Sequence, residues 1–224
     1  MERPDQQAHY GESPRDEIIP LVPRDIRSVL DVGCGNGAFG VALRRLLGTD
    51  ARIVGMEAVP SQAALARDPS RGFDEVYEGY FPDDLPADER FDLITFNDVI
   101  EHIVDPWTAV QRTHDHLVPG GRVMASIPNI QHIYTVAQLA RGRWDYTDMG
   151  TLDRTHVRFF TRATMVELFE GAGFEVETCV GINGQEHRWA QDTVPWRRFL
   201  KLRLVPFLGD FRWVQFVIVA RSRA

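Results

Sequence analysis

The chain has 224 residues, 44% hydrophobic and 25% charged, which permits a full core and fits a single α/β domain over 1–224 with modest additions. Lys and Arg number 25 against 32 Asp and Glu, a net charge of −7, so the basic footprint of a nucleic-acid binder is missing and no nucleic-acid partner is expected. Two cysteines, Cys34 and Cys179, show no metal-ligand spacing and fall on predicted strand ends, which excludes a disulfide framework and fits reduced thiols, and no apolar stretch is long enough to span a bilayer.

Met1 to Ser13 is polar and reads as a flexible N-terminus (about 1–13) rather than a signal peptide, so a cytoplasmic protein is expected. Val29 to Cys34 reads as a buried strand, and Gly33, Gly35 and Gly37 then make a tight turn where backbone can approach a ligand closely. Ala38 to Leu47 has apolar residues at helical spacing, so the turn exposes a helix N-terminus, as a nucleotide-type site requires. The glycines also satisfy a dinucleotide fingerprint loosely through Gly33, Gly35 and Ala38. Asp31, two residues before the first glycine, would repel a pyrophosphate but suits a ligand carrying an ammonium and a sulfonium.

Ala51 to Met56 is a second strand, and Glu57 after it is placed to accept hydrogen bonds from both ribose hydroxyls of a nucleoside. Ala58 to Arg67 reads as a helix, with Ser61 near its start. Phe73 to Tyr77 is a short third strand followed by Gly79, Tyr80 and Phe81; either aromatic fits adenine stacking or ordinary packing. Phe91 to Phe96 is the fourth strand, and Asn97, Asp98 and Val99 follow it at the carboxyl end, where open α/β sheets bind ligands. Asp105 is an N-cap with Pro106 at the first helical position, and that helix runs to about His116. Pro119-Gly120-Gly121 turns into a fifth strand, Arg122 to Ile127.

Residues 128–160 interrupt the repeat with a helix, Ile133 to Arg141, and a polar, aromatic stretch; an insertion after the fifth strand commonly carries substrate contacts in such a fold, so 128–160 is the expected acceptor-binding insertion. Thr161 caps an amphipathic helix from Arg162 to Glu170 that Gly171 and Gly173 terminate. Phe174 to Val180 is a sixth strand, and Trp213 to Ala220 a last one, antiparallel to it. Between them, 195–209 (PWRRFLKLRLVPFLG) carries Arg197, Arg198, Lys201 and Arg203 among aromatic and aliphatic residues. It reads as a peripheral membrane contact at the inner face, or as a covering helix or homodimer contact.

The run Asp31-Val32-Gly33-Cys34-Gly35-Asn36-Gly37 resembles the first motif of the class I S-adenosylmethionine-dependent methyltransferases. EHIVDPW and LVPGGRVMASIPN resemble the family's later motifs, in the expected order and spacing. The resemblance implies a Rossmann-like, doubly wound, seven-stranded sheet, mostly parallel with an antiparallel last strand and helices on both faces. It implies S-adenosylmethionine as cofactor and S-adenosylhomocysteine as product. It carries cofactor contacts onto Asp31, Gly33, Cys34, Gly35, Asn36, Gly37, Glu57, Ala58, Gly79, Tyr80, Asn97, Asp98 and Val99, with Asp83 and Asp84 as further places for an adenine partner. DRTHVRFF together with TRATMVELFEGAGFEVE resembles a subgroup found beside glycosyltransferases in polysaccharide biosynthesis, which implies a sugar hydroxyl or amino group as acceptor.

Methyl transfer is an in-line displacement, and an attacking hydroxyl must also lose a proton. A histidine suits that task, so His102 and His156 are the candidate bases. Asp153, Arg154 and Arg158 are candidate acceptor contacts, or a local salt-bridge network. Asp98, Glu101 and His102 share one face if that segment is helical, a spacing like the acid-x-x-Glu-His arrangement linked to magnesium in some quinone-biosynthesis O-methyltransferases. Histidine is not a preferred magnesium ligand, so no metal is expected. The alternatives are an O-methyltransferase of a quinone-like or other aromatic small molecule and, from another class, an NAD-binding oxidoreductase or a noncatalytic nucleotide-binding module. Asp31 argues against NAD, and the intact glycines with Glu57 argue against degeneration.

Overall fold

The computed structural model describes residues 14–184 and 208–223, so the tail 1–13 and residues 195–207 of the basic segment lie outside the described residues. Seven strands form one sheet: β1 (Ser28–Val32), β2 (Arg52–Glu57), β3 (Glu75–Glu78), β4 (Phe91–Asn97), β5 (Leu117–Pro128), β6 (Phe174–Gly184) and β7 (Trp213–Ser222). Their spatial order is β3-β2-β1-β4-β5-β7-β6. Neighbours from β3 to β5 pair in parallel, and β7 runs antiparallel to both β5 and β6. The expected architecture is the one observed. The order reverses between β1 and β4, and ligands settle at the carboxyl ends of strands beside such a reversal.

Central strands covered on both sides read as unbroken apolar runs, and alternate residues go to opposite faces. On one face Leu30, Val54, Ile94 and Val123 pack with Val110 of α3 (Pro106–Arg112) and with Met165, Leu168 and Phe169 of α5 (Arg162–Gly171). On the other, Val29, Ile53, Leu93 and Met124 pack with Phe39, Ala42 and Leu43 of α1 (Ala38–Leu47) and with Ile18, Val22 and Ile26. The two shorter helices are α2 (Pro60–Ala66) and α4 (Ile133–Leu139).

Both predicted N-caps are present. Asp105 Oδ1 accepts from the Thr108 N–H at 3.1 Å, and Thr161 and Thr164 form a reciprocal capping box. Other boundaries need correction. The first strand ends at Val32, because the N–H groups of Gly33 and Cys34 both turn to the Met56 carbonyl. The third strand lies at Glu75–Glu78 rather than at Phe73. The helix after Asp105 changes at Thr113 into a 3-10 turn. Pro119-Gly120-Gly121 is an irregularity inside β5, where the register to β4 jumps between Phe91 and Leu93. Cys179 stands within β6, which runs on to Gly184, and both cysteines are free thiols.

Candidate active site

At the carboxyl ends of β1, β2 and β4 lies a cavity of about 550 Å³. Its inner wall is the turn after β1. The Gly33 and Cys34 N–H groups donate to Met56 O at 2.7 and 3.1 Å, which ties the turn to β2. Gly33 has φ +69°, and a Cβ there would sit 2.5 Å from Val99 Cγ2, so this position takes only glycine. Of the expected cofactor contacts, all but Gly37 line the cavity. Gly37 is the left-handed N-cap of α1, and a Cβ there would meet Arg71 Cβ at 2.8 Å, so it shapes the turn from behind.

Two acids stand at the floor. Glu57 Oε2 accepts from the Gly35 N–H and Oε1 from the Val59 N–H, both at 2.8 Å. Asp31 is 2% exposed, and its Oδ1 accepts from Thr95 Oγ1 at 2.6 Å and from Asn97 Nδ2 at 3.3 Å. Burial pushes the Asp31 carboxyl up to about 7, against the pull of those hydrogen bonds. A carboxyl in this state gains most from a cationic group placed beside it.

The adenine candidates separate in the structure. Asp84 Oδ2 accepts from the Tyr80 N–H at 2.8 Å, and Asp83 pairs with Arg112, so neither faces the cavity. Phe81 lines the cavity but packs edge-on against Phe96, and Tyr80 stands largely exposed at the rim.

Beyond β4 the wall is held by two residues that sequence reading missed. Asp98 has φ +55°; one carboxylate oxygen accepts from Arg15 and the other from Gln215 Nε2 at 2.5 Å. Arg15 also donates to Ser126 Oγ at 2.8 Å. These partners are 83 and 117 residues from Asp98, and no local pattern announces them.

A second cavity of about 100 Å³ adjoins the first, and Asp98 and His102 line both. Glu101, Asp153 and His156 line the second. The insertion is clamped here, because the N–H groups of Val157 and Arg158 both donate to the Glu101 carbonyl, at 2.9 and 3.0 Å. His102 Nδ1 lies 3.3 Å from Thr155 O and His156 Nδ1 lies 3.1 Å from Thr151 O. The two rings meet edge to face with centroids 4.8 Å apart, and His156 Nε2 is 3.8 Å from Glu101 Oε1. Glu101 is 1% exposed, and neither carboxylate oxygen has a hydrogen-bond partner. Burial, reinforced by the Asp98 charge, holds its carboxyl well above the usual range, and burial lowers His102.

Other expected contacts fall elsewhere. Asp153 lines the second cavity but spends Oδ1 on the Thr155 N–H and hydroxyl. Arg154 pairs with Asp148, while Arg158 donates to Val104 O and lies over the Trp107 ring, and neither arginine lines either of these two cavities. Residues Ile100–His102 form a 3-10 turn, which undoes the shared helical face expected for Asp98, Glu101 and His102. Among the described residues, the donors that do converge are Glu101, His102 and His156.

Residues 7–178 match the family profile described as a methyltransferase domain. A ubiquinone biosynthesis O-methyltransferase of Methylobacterium nodulans is 28% identical over 197 residues, 81% of this chain and 72% of that protein. One of Cereibacter sphaeroides is 30% identical over 74% of this chain and 66% of its own length. The fold is that of a SAM-dependent methyltransferase from Archaeoglobus fulgidus, with TM-score 0.67 at 16% identity over 92% of this chain and 91% of that one. A similar enzyme from Mesorhizobium loti superposes with TM-score 0.62 at 20% identity, over 95% of this chain and all of that one (100%). The chain therefore belongs to the methyltransferase-domain family.

Proposed function

We propose that this chain transfers a methyl group from S-adenosylmethionine to a hydroxyl of a small, quinone-like or other aromatic acceptor. The observation that carries the reading is the buried Asp31 carboxyl in the wall of the large cavity, with a second cavity sharing Asp98 and His102 beside it. The relatives described as ubiquinone biosynthesis O-methyltransferases favour a small-molecule acceptor over the glycan acceptor expected from DRTHVRFF.

Bound S-adenosylmethionine supplies an activated methyl carbon. Asp31, in the cavity wall, would hold the cationic part of that ligand, which would stabilise the ionised carboxylate. Glu57 is held rigid by two backbone N–H groups and keeps lone pairs for the ribose hydroxyls. Asp98 and His102 mark the junction across which the two substrates meet. The acceptor oxygen enters the second cavity, and its proton leaves towards the Glu101, His102 and His156 cluster, so the base expected at one histidine becomes a group of side chains acting together. Aligning the two reactants supplies most of the rate in such a transfer.

Calorimetric titration with S-adenosylhomocysteine, with NAD as control, on wild type and Asp31→Ala tests the cofactor. Micromolar binding to wild type that is lost in the variant is the expected result, and tighter binding of NAD would overturn it. Methyl transfer to a dihydroxybenzene but not to free sugars is expected in the acceptor assay; the reverse preference would restore the glycan.

A further inference from the structure

We propose that Gln215 is a positioning residue for methyl transfer, acting through Asp98, in a hydrogen-bonded row Asn183–Gln215–Asp98–Arg15 that fixes the wall between the two cavities. Among the described residues, the non-glycine positions with positive φ are Arg15, Asp98 and Asn183, at +55°, +55° and +54°. All three stand in this one row. Such backbone is uncommon for residues with a Cβ and persists where the surroundings over-determine it, above all at functional sites. The direction of the row follows from donor chemistry. An ionised carboxylate only accepts, so Arg15 and Gln215 each present an N–H to Asp98, one to each oxygen. Gln215 thereby turns Oε1 away, and Asn183 Nδ2 donates to it at 3.1 Å.

The row is anchored in the sheet. The Asp98 N–H donates to Ser126 O at 3.1 Å, while Arg15 donates to the Ser126 hydroxyl at 2.8 Å. Gln215 stands in β7 opposite Pro128 of β5 and Ile182 of β6, so its side chain starts from backbone paired on both sides. Arg15 lines the larger cavity, Gln215 the second, and Asp98 both. The Asp98 carboxylate therefore cannot swing into either cavity without giving up a partner on the other side. Resting on the proposed methyl transfer, the role of Gln215 is to keep this wall from shifting between acceptor and methyl donor. A displacement of about an ångström there costs on the order of 100-fold in rate, because in-line approach is lost while both binding sites remain.

The test compares full-length wild type with Gln215→Met, which keeps the length of the side chain and loses its amide, in methyl transfer to 1,2-dihydroxybenzene. The expected result is a kcat lower by about 10- to 100-fold, with KM and S-adenosylhomocysteine affinity within about threefold of wild type. A merely structural role would lower affinity and melting temperature along with rate; that result, or an unchanged kcat, would overturn the proposal. If Gln215→Met fails to fold, Asn183→Gly replaces it, because glycine keeps the left-handed backbone and removes only the bond to Gln215 Oε1. Its kcat should fall about threefold or more, again without loss of affinity. A second arm needs no turnover. The side-chain amide signal of Gln215 in the ¹⁵N spectrum should move when S-adenosylhomocysteine saturates the larger cavity, and should stay still in Asp98→Gly. A silent signal in wild type, or one that moves in both proteins, sinks the row. If wild type binds S-adenosylhomocysteine but leaves the dihydroxybenzene unmethylated, the aromatic acceptor reading fails and the amide signal alone decides this proposal. Without S-adenosylhomocysteine binding, both fall.

Discussion

The Gly35 N–H donates to Glu57 Oε2 at 2.8 Å, so the glycine turn after β1 is fastened to the acid that ends β2. Because Glu57 Oε1 also holds the Val59 N–H, one carboxylate sets the turn, the entry to α2 and the cavity floor together. Glu57→Ala leaves both N–H groups without this acceptor, at about 1–3 kcal/mol for each that stays unsatisfied. Glu57→Gln keeps one acceptor oxygen and loses roughly half as much. The expected order of melting temperature is wild type, Gln, Ala, and S-adenosylhomocysteine affinity falls more than tenfold in both variants by calorimetry.

Asp31 gives a pH signature. Burial raises its carboxyl to about 7 in the folded chain from the ordinary 3.8, so between those values the folded state holds a proton that the unfolded state has released. Stability from this group is therefore full below about pH 4, falls as pH rises towards 7 and is flat above, on the order of a few kcal/mol in total. The difference in melting temperature between wild type and Asp31→Asn should change across pH 4–7 and stay constant above. A difference independent of pH over that interval would contradict the assignment.

Cofactor binding should follow the opposite course. A cationic group next to Asp31 favours the ionised carboxylate, so S-adenosylhomocysteine affinity rises with pH up to about 7 and binding releases a proton. Titrations at pH 6 in buffers of different ionisation enthalpy count that proton directly, and Asp31→Asn should show none.

Gly33 and Val99 form a steric pair. Gly33→Ala meets both the left-handed backbone, at about 1–2 kcal/mol, and the Val99 side chain at 2.5 Å. Adding Val99→Ala should recover the clash but not the backbone cost, giving a non-additive double-mutant cycle in denaturant unfolding.

Arg15 closes the wall that the two cavities share. Arg15→Ala removes charged hydrogen bonds to Asp98 and Ser126, each worth about 1.5–3 kcal/mol. S-adenosylhomocysteine affinity is expected to drop about tenfold or more. Arg15→Lys should restore only part of it, because an ammonium lacks the fork that reaches both partners.

The glycine turn, Asp31, Glu57 and the caps at Asp105 and Thr161 were legible because each rests on a requirement a few residues long: a positive φ, a strand end, an unsatisfied N–H. Arg15 and Gln215 were not, since what brings them to Asp98 is the packing of the N-terminal segment and β7 against the sheet. The convergence of His156 on Glu101 depends on how the insertion 128–160 folds back, which periodicity does not record; only the histidines themselves were visible. The shared helical face of Asp98, Glu101 and His102 failed because the chain turns there with 3-10 geometry; Arg154 pairs with Asp148 inside the insertion, and Arg158 ties the insertion to Val104 and Trp107.

β7 lies between β5 and β6 although it follows both in sequence. During synthesis the apolar margin formed by Val123, Ala125 and Ile127 must therefore wait, its hydrogen-bonding edge bare, until residues beyond Trp213 have left the ribosome. β6 waits with it, since its own pairing is with β7. The last strand thus acts as a keystone: the half-sheet that frames the second cavity cannot close around it one strand at a time, and a chain arrested before Trp213 presents a sticky edge in place of that cavity.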